Sequence, residues 1–218
     1  IGSGLVGSEM CIRDRDDRVC AFTSLAAMLE IGQTERTACC ILVDKEEIGS
    51  MGATGMQSSF FEDMVAEVLA LTGEDSPVKV RRVLRNSCML SSDVSAAYDP
   101  LYPEVFEKKN TAYFGRGLVL NKYTGSRGKN GTSDANAEYV AKVRNVFDNN
   151  HVAFQTAELG KVDQGGGGTI AYVMANKAMS VIDSGVAVLS MHAPYEVTSK
   201  SDVYEVYRGY KAFLKDMK

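Results

Sequence analysis

Apolar and polar positions along this chain follow two rhythms, one helical and one extended, which alternate from residue 16 onward. Helical spacing sets Val19, Phe22, Leu25, Ala26 and Leu29 along a helix predicted over 19–31. It sets Phe60, Met64, Val65 and Val68 on one face of a helix over 56–71. Further helices are predicted over 135–147, over 169–179 behind a run of glycines, and over 202–217. Short apolar runs between them read as buried strands: Ala38-Cys39-Cys40-Ile41-Leu42-Val43, then 88–91, 118–120, 152–156 and 185–191. Residues 52–55 and 125–133 read as loops, and Gly73 to Pro77 as a turn. Helices alternating with strands argue for an α/β domain, its sheet mixed or largely parallel and flanked by helices. No repeat or internal linker divides it.

The chemistry is expected where the strands stop. Glu46-Glu47, Asp93 and His192 each fall just past a predicted strand, and open α/β sheets gather their sites outside the carboxyl ends of strands. Asp16-Asp17 precedes the first helix, where carboxylates suit the positive end of the helix dipole or can cap it. Each residue has a quieter reading. Glu46-Glu47 could be a solvated turn, Asp93 a turn cap, and His192 a satisfied core imidazole. His151, the other histidine, sits in a polar turn and reads as surface. Adjacent acids are costly to bury unless they are used. Brought together, oxygen donors and an imidazole suit Zn²⁺ or a similar ion, with one unligated acid left to move a proton. Gly165 to Gly168 could be a flexible loop or a main-chain cradle for an oxyanion. It lacks the spacing of a dinucleotide fingerprint.

Composition narrows the classes. The 218 residues carry 24 Lys+Arg against 28 Asp+Glu, a net charge of −4, with no tryptophan and no basic block. That argues against a nucleic-acid partner. The apolar runs are too short to span a bilayer. The five cysteines form no CxxC pair, which suits reduced, buried thiols in a cytoplasmic protein. Residues Leu5 to Arg15 read LVGSEMCIRDR and resemble the translation of a transposase adapter from sequencing libraries. Residues 1–15 are therefore expected to be foreign to the fold, with the domain occupying 16–218.

Four ordered blocks are similar to the M18 family of zinc aminopeptidases: Asp16-Asp17-Arg18-Val19-Cys20-Ala21-Phe22, Asp44-Lys45-Glu46-Glu47-Ile48-Gly49-Ser50, Ser91-Ser92-Asp93 with Pro100, and Ser190-Met191-His192-Ala193-Pro194. A fifth, Asp163-Gln164-Gly165-Gly166-Gly167-Gly168-Thr169-Ile170, resembles a loop of that family. The resemblance implies an αβα sandwich, here incomplete, and the C-terminal part of a catalytic domain. It implies a site with two Zn²⁺ ions that removes N-terminal residues from peptide substrates. By position, Asp16 matches the bridging carboxylate, Glu46 the general base and Glu47 a ligand of one zinc. Asp93 and His192 match terminal ligands of different ions. Gly167, Gly168 and Thr169 are expected on the substrate side. The family forms large homo-oligomers. Two departures stand out. The family's upstream histidine ligand has no counterpart, because His151 and His192 both lie downstream, so this chain alone is expected to bind metal poorly. Ala96 and Asp99 stand where aspartyl aminopeptidases carry histidines, which weakens an acidic preference. A dinuclear zinc peptidase of the tetrahedral-particle type shares several of these residues, and a silent scaffold would keep the fold alone.

Overall fold

The computed structural model describes residues 15–126, 130–161 and 163–218. The expectation about residues 1–15 therefore falls, except for Arg15, outside the described residues. In chain order the regular elements are α1 (Arg18–Glu30), α2 (Phe60–Leu71), α3 (Pro77–Arg85), β1 (Cys88–Ser92), β2 (Ser95–Ala96), β3 (Leu118–Asn121), β4 (Tyr123–Ser126), β5 (Asn130–Asp134), α4 (Ala137–Asn149), β6 (Phe154–Thr156), α5 (Ala171–Ala175), β7 (Ser180–Gly185), β8 (Ala187–Leu189), β9 (Val197–Thr198) and α6 (Lys200–Asp216). The main sheet runs β1-β7-β3-β6. β1 lies parallel to β7 and β3 parallel to β6, while β3 and β7 are antiparallel. β2, β8 and β9 form a second small sheet, and β4 pairs with β5 as a hairpin.

The pleat sorts side chains between two helical layers. Leu118, Leu120 and Ile182 point into a core shared with α1, α4 and α6, where Val143, Phe147 and Val206 are fully enclosed. Val181, one residue along β7, faces the opposite layer with Leu84 of α3 and Met174 of α5, against which Phe61 and Val65 of α2 pack. Helices thus cover both faces, which makes the three-layer α/β arrangement. In α6, Gly209 lets the helix approach β3, because a Cβ there would come 2.7 Å from Leu118 Cδ1.

Several expectations change. Ala38–Val43 forms no strand. Its composition suits one, yet among the described residues it has no main-chain hydrogen bond to a neighbouring strand. Cys39 is consequently exposed rather than buried, and Cys40 and Cys88 are only part-covered; Cys20 is buried as expected. The buried stripe of α1 is Cys20, Thr23 and Ala27, while Phe22 and Leu29 of its apolar stripe are 67% and 77% exposed. Residues 125–126 and 130–133 belong to the β4–β5 hairpin instead of a plain loop, and 127–129 lie outside the described residues. The helix α3, opened by Pro77 at its first turn, follows what had read only as a turn. The helix expected over 169–179 shrinks to five residues. The apolar run 185–191 is the end of β7 plus β8, so β7, the central strand, begins earlier than its hydrophobicity suggests.

Candidate metal centre

Four short segments deliver polar side chains to one rim of the sheet. Asp16 and Asp17 stand directly before α1, and Asp93 follows β1. Glu46 and Glu47 lie on a single 3-10 turn, Glu46–Ile48. His192 follows β8 in a tight turn closed by the Ala193 N–H donating to the Ser190 carbonyl at 2.9 Å. Main-chain geometry is unusual at this rim. Lys45, Ser190 and His192 have φ of 69°, 59° and 64°, a left-handed region that side-chain-bearing residues seldom occupy and that clusters at sites. Gly185 lets the end of β7 pass under Asp93, since a Cβ there would meet the Asp93 carbonyl oxygen at 1.8 Å and Cys20 Sγ at 2.9 Å.

The side chains converge, although only Asp93 and His192 follow strands. His192 Nε2 lies 3.0 Å from Asp16 Oδ2 and 3.3 Å from Glu47 Oε1. One ligand atom each from Asp16, Glu47 and His192 falls within 4.8 Å of the others. Asp93 is not in that trio. Its carboxylate accepts from the Val94 N–H at 2.8 Å and is enclosed beside Asp17, Asp16 and Glu46. Among the described residues, the ion pairs of these acids run only to His192.

Burial and neighbouring charges shift the ionisations here. Burial and the neighbouring acids push Asp93 well above the usual carboxylate range. Burial, then Glu47 and Asp16, raise Glu46 to about 7. Asp17 rises to about 8, mainly through burial. His192, bonded to Asp16 and Glu47, rises to about 10. Glu47 moves the other way, lowered by its bond to His192. Such a cluster needs positive charge, and among the described residues only His192 is ion-paired with these five carboxylates. The residues fit a divalent ion. The donors are carboxylate oxygens and an imidazole, and among the described residues the buried Asp17 Oδ1 has no hydrogen-bond partner.

Residue reading missed four contributors. Glu196 accepts from the main-chain N–H groups of Arg15, of Asp16 at 3.0 Å and of His192 at 2.7 Å. One carboxylate thereby fastens two segments far apart in sequence. Asp17, for which a helix cap was one alternative, makes no capping bond to α1 and faces the acid cluster. Buried Cys20 packs beside Asp17. Asp183, on β7, is 3% exposed and accepts from Thr124 Oγ1 at 3.3 Å. Nothing in local spacing marks Glu196, an ordinary acid four residues beyond His192. The substrate-side expectation fares differently. Thr169 is buried, with its hydroxyl near Asp183 and accepting from the Ala171 N–H at 3.2 Å. The cleft beside the acids is lined by Ile170 and not by Gly167, Gly168 or Thr169. Lys122 is exposed and paired with Asp134, as a solvated lysine should be.

Known proteins share this sequence pattern and fold. The family model described as aminopeptidase I zinc metalloprotease (M18) matches residues 4–214. A probable M18 family aminopeptidase 1 from Clostridium acetobutylicum is 60% identical over 202 residues, which cover 93% of this chain and 43% of the relative. The crystal structure of aminopeptidase I from the same organism superposes with a TM-score of 0.85, over 93% of this chain and 43% of that one. The M18 aminopeptidase structure from Thermotoga maritima gives 0.88 at 44% identity, over 92% of this chain and 45% of that one. The chain spans under half the length of these relatives. Among the described residues, no helix is long and apolar enough to cross a membrane. This chain belongs to the M18 family of zinc aminopeptidases.

Proposed function

We propose that this chain supplies most of the active site of a metallo-aminopeptidase that removes N-terminal residues from peptides. The observation that carries the reading is the meeting of Asp16, Glu47 and His192 beside Asp93 and Glu46. Asp16, Glu47 and His192 would hold one zinc ion, and Asp16 with Asp93 would share in a second. When bound, zinc would acidify a water toward neutrality and polarise the scissile carbonyl.

The chain's own residues perform the remaining work. Glu46 stands on the 3-10 turn beside the ligands without an ion pair of its own among the described residues. With its affinity for a proton near neutral pH, it can take one from the attacking water and return it to the leaving amine. Glu196 holds the main chains of Asp16 and His192 in register, so the bridging carboxylate and the imidazole stay aimed at each other. A role for Gly167, Gly168 and Thr169 at the substrate is indirect in this reading: Thr169 anchors the glycine run to Asp183 from behind. Ala96 and Asp99, in place of histidines, favour neutral over acidic N-terminal residues.

The whole protein is further proposed to be a homo-oligomer. A structure described as the mApe1 dodecamer of Saccharomyces cerevisiae superposes with a TM-score of 0.71 at 25% identity. A cytoplasmic setting rests on the unpaired thiols Cys20, Cys39, Cys40 and Cys88.

The test is Glu46→Gln in a full-length enzyme restored around this chain, assayed on leucyl- and aspartyl-p-nitroanilide with zinc content measured in parallel. Activity should fall about 10²- to 10⁴-fold with zinc unchanged. Retained activity would remove Glu46 from the mechanism. The 218-residue chain alone should hold little zinc after dialysis; full occupancy would refute the need for a further ligand.

A further inference from the structure

The Glu196 carboxylate fastens Asp16 and His192, but among the described residues its bonds do not reach Asp93. Asp93 is held from below, by a short chain of hydroxyls. The Ser24 hydroxyl of α1 donates to the Ser92 hydroxyl of β1 at 2.9 Å. Ser92 donates to the Tyr210 hydroxyl of α6 at 2.8 Å, and Tyr210 donates to the Ser184 carbonyl of β7 at 2.8 Å. That same carbonyl accepts the Asp93 N–H at 3.1 Å. The Cys20 carbonyl, in the first turn of α1, lies 3.3 Å from Ser92 Oγ. Tyr210 is 4% exposed and Ser184 is fully buried.

A phenylalanine at position 210 would fill nearly the same space, so the hydroxyl itself needs an account. A buried hydroxyl gains little net stability from its hydrogen bonds, because water supplies them in the unfolded chain. A satisfied buried network instead fixes one geometry. Here the phenol grips Asp93 on both sides: through the Ser92 side chain before it, and through the carbonyl that receives its own N–H. Through Ser92 it is also tied to α1, the helix that Asp16 and Asp17 precede. We propose that Tyr210 is a positioning residue that sets Asp93 against Asp16, the pair read above as sharing the second zinc ion. It touches neither substrate nor ion, and acts through Ser92 and Ser184. This role rests on the metallo-aminopeptidase reading, and it gives the two ions different supports: Glu196 for the one at His192, Tyr210 for the one at Asp93.

In the full-length enzyme restored around this chain, zinc would be titrated into the apoenzyme against a chromophoric chelator, and the Co²⁺-substituted enzyme would be read by visible spectroscopy. Tyr210→Phe should weaken one of two zinc equivalents about 10- to 100-fold, the scale for lost partners that orient ligands, and leave the other within about 3-fold. The Co²⁺ bands of the weakened equivalent should shift. Activity lost at limiting zinc should return at excess zinc. Ser92→Ala, which breaks the chain at the next link with a smaller change, should give the same pattern. Tyr207→Phe, the same substitution about one turn earlier on α6, where the hydroxyl bonds Glu30, should keep both equivalents at parental affinity. Adding Tyr210→Phe to Asp93→Asn should cost the weakened equivalent nothing further, because the two changes act on one ligand. Parental zinc affinity and Co²⁺ bands in Tyr210→Phe, even with a lower unfolding midpoint, would overturn the proposal and leave a merely structural phenol. So would equal weakening of both equivalents, or full additivity with Asp93→Asn. Parental affinity in Asp93→Asn would instead refute the zinc reading of Asp93 itself, and the role of Tyr210 with it.

Discussion

The sheet centre and the margin formed by residues 36–71 with the outer face of α1 have similar apolar content and opposite fates. At the centre, all four residues of β3 and five of the six in β7 are buried. At the margin, α2 buries none of its twelve residues, and Leu71, Leu29 and Leu42 are 88%, 77% and 56% exposed. Hydrophobicity brings a side chain inside only when something stands opposite to receive it. The centre has helices on both faces, whereas the margin packs on one side only, through Met56, Phe61 and Val65.

The largest expected effect follows from that contrast. Phe147→Ala removes a ring enclosed among Leu118, Val152 and Phe213 and should cost about 3 to 5 kcal/mol in urea unfolding followed by circular dichroism. Leu71→Ala should stay within about 0.5 kcal/mol. Equal losses at the two positions would mean that the margin is already packed in solution.

Asp183 sharpens the comparison from the centre's side. Burial raises its carboxyl from an ordinary 3.8 to about 6, while hydroxyls of Thr169, Ser91 and Thr124 restrain the rise. Below pH ~3.8 both folded and unfolded chains carry the proton, and the group is neutral to stability. As pH climbs from about 4 to 6, the unfolded chain loses its proton first, so stability falls through that window. The loss is about 3 kcal/mol when complete, at 1.36 kcal/mol per unit. Asp183→Asn should remove this component. The stability difference between parent and variant, measured by denaturant titration from pH 4 to 7, should grow with pH and then level off. A difference independent of pH would place the ionised carboxylate in a better-compensated setting.

The same contrast explains what the sequence could reveal. β1, β3, α4 and α6 were legible because each closes its own pattern of burial, and Glu46, Glu47, Asp93 and His192 because each ends an apolar run. The strand expected over 38–43 failed for a non-local reason: its composition is right, but pairing needs a neighbour, and none is among the described residues. The apolar stripe of α1 misled in the same way, since the helix turns Cys20, Thr23 and Ala27 inward instead. The β4–β5 hairpin was hidden by its glycines and polar residues. Glu196 was illegible because its role lies in bonding the main chains of residues about 180 positions away and four positions away.

That bridging carboxylate gives the next test. Glu196→Gln retains two acceptor positions on one oxygen but loses the charge and the second accepting oxygen shared among three N–H groups. In the restored full-length enzyme, zinc affinity measured by competition with a chromophoric chelator should fall about 10- to 100-fold, the usual scale for partners that orient ligands. Unfolding midpoints should change little, because Glu196 lies at the rim. Unchanged affinity would mean that the Asp16 and His192 turns hold themselves.

The smallest expected effect compares two helix starts of like chemistry. Ser199 precedes α6 and accepts from the Asp202 N–H at 3.5 Å, a long capping bond in the well-packed half. Asp17 occupies the same position before α1 but makes no such bond, its carboxylate being turned toward the acids. Ser199→Ala should therefore cost about 0.5 to 1 kcal/mol, the low end for a lost cap given the length of the bond. Exchange of the first-turn amides of α6 should quicken, while Gly115 and Gly117, which donate to Asp202 at 2.8 and 2.9 Å, keep their protection. If those glycine amides also open, Ser199 holds Asp202 in place and the cap is part of the core. If nothing changes, α6 is fixed by its buried face alone, and even its first turn draws its stability from packing that the margin lacks.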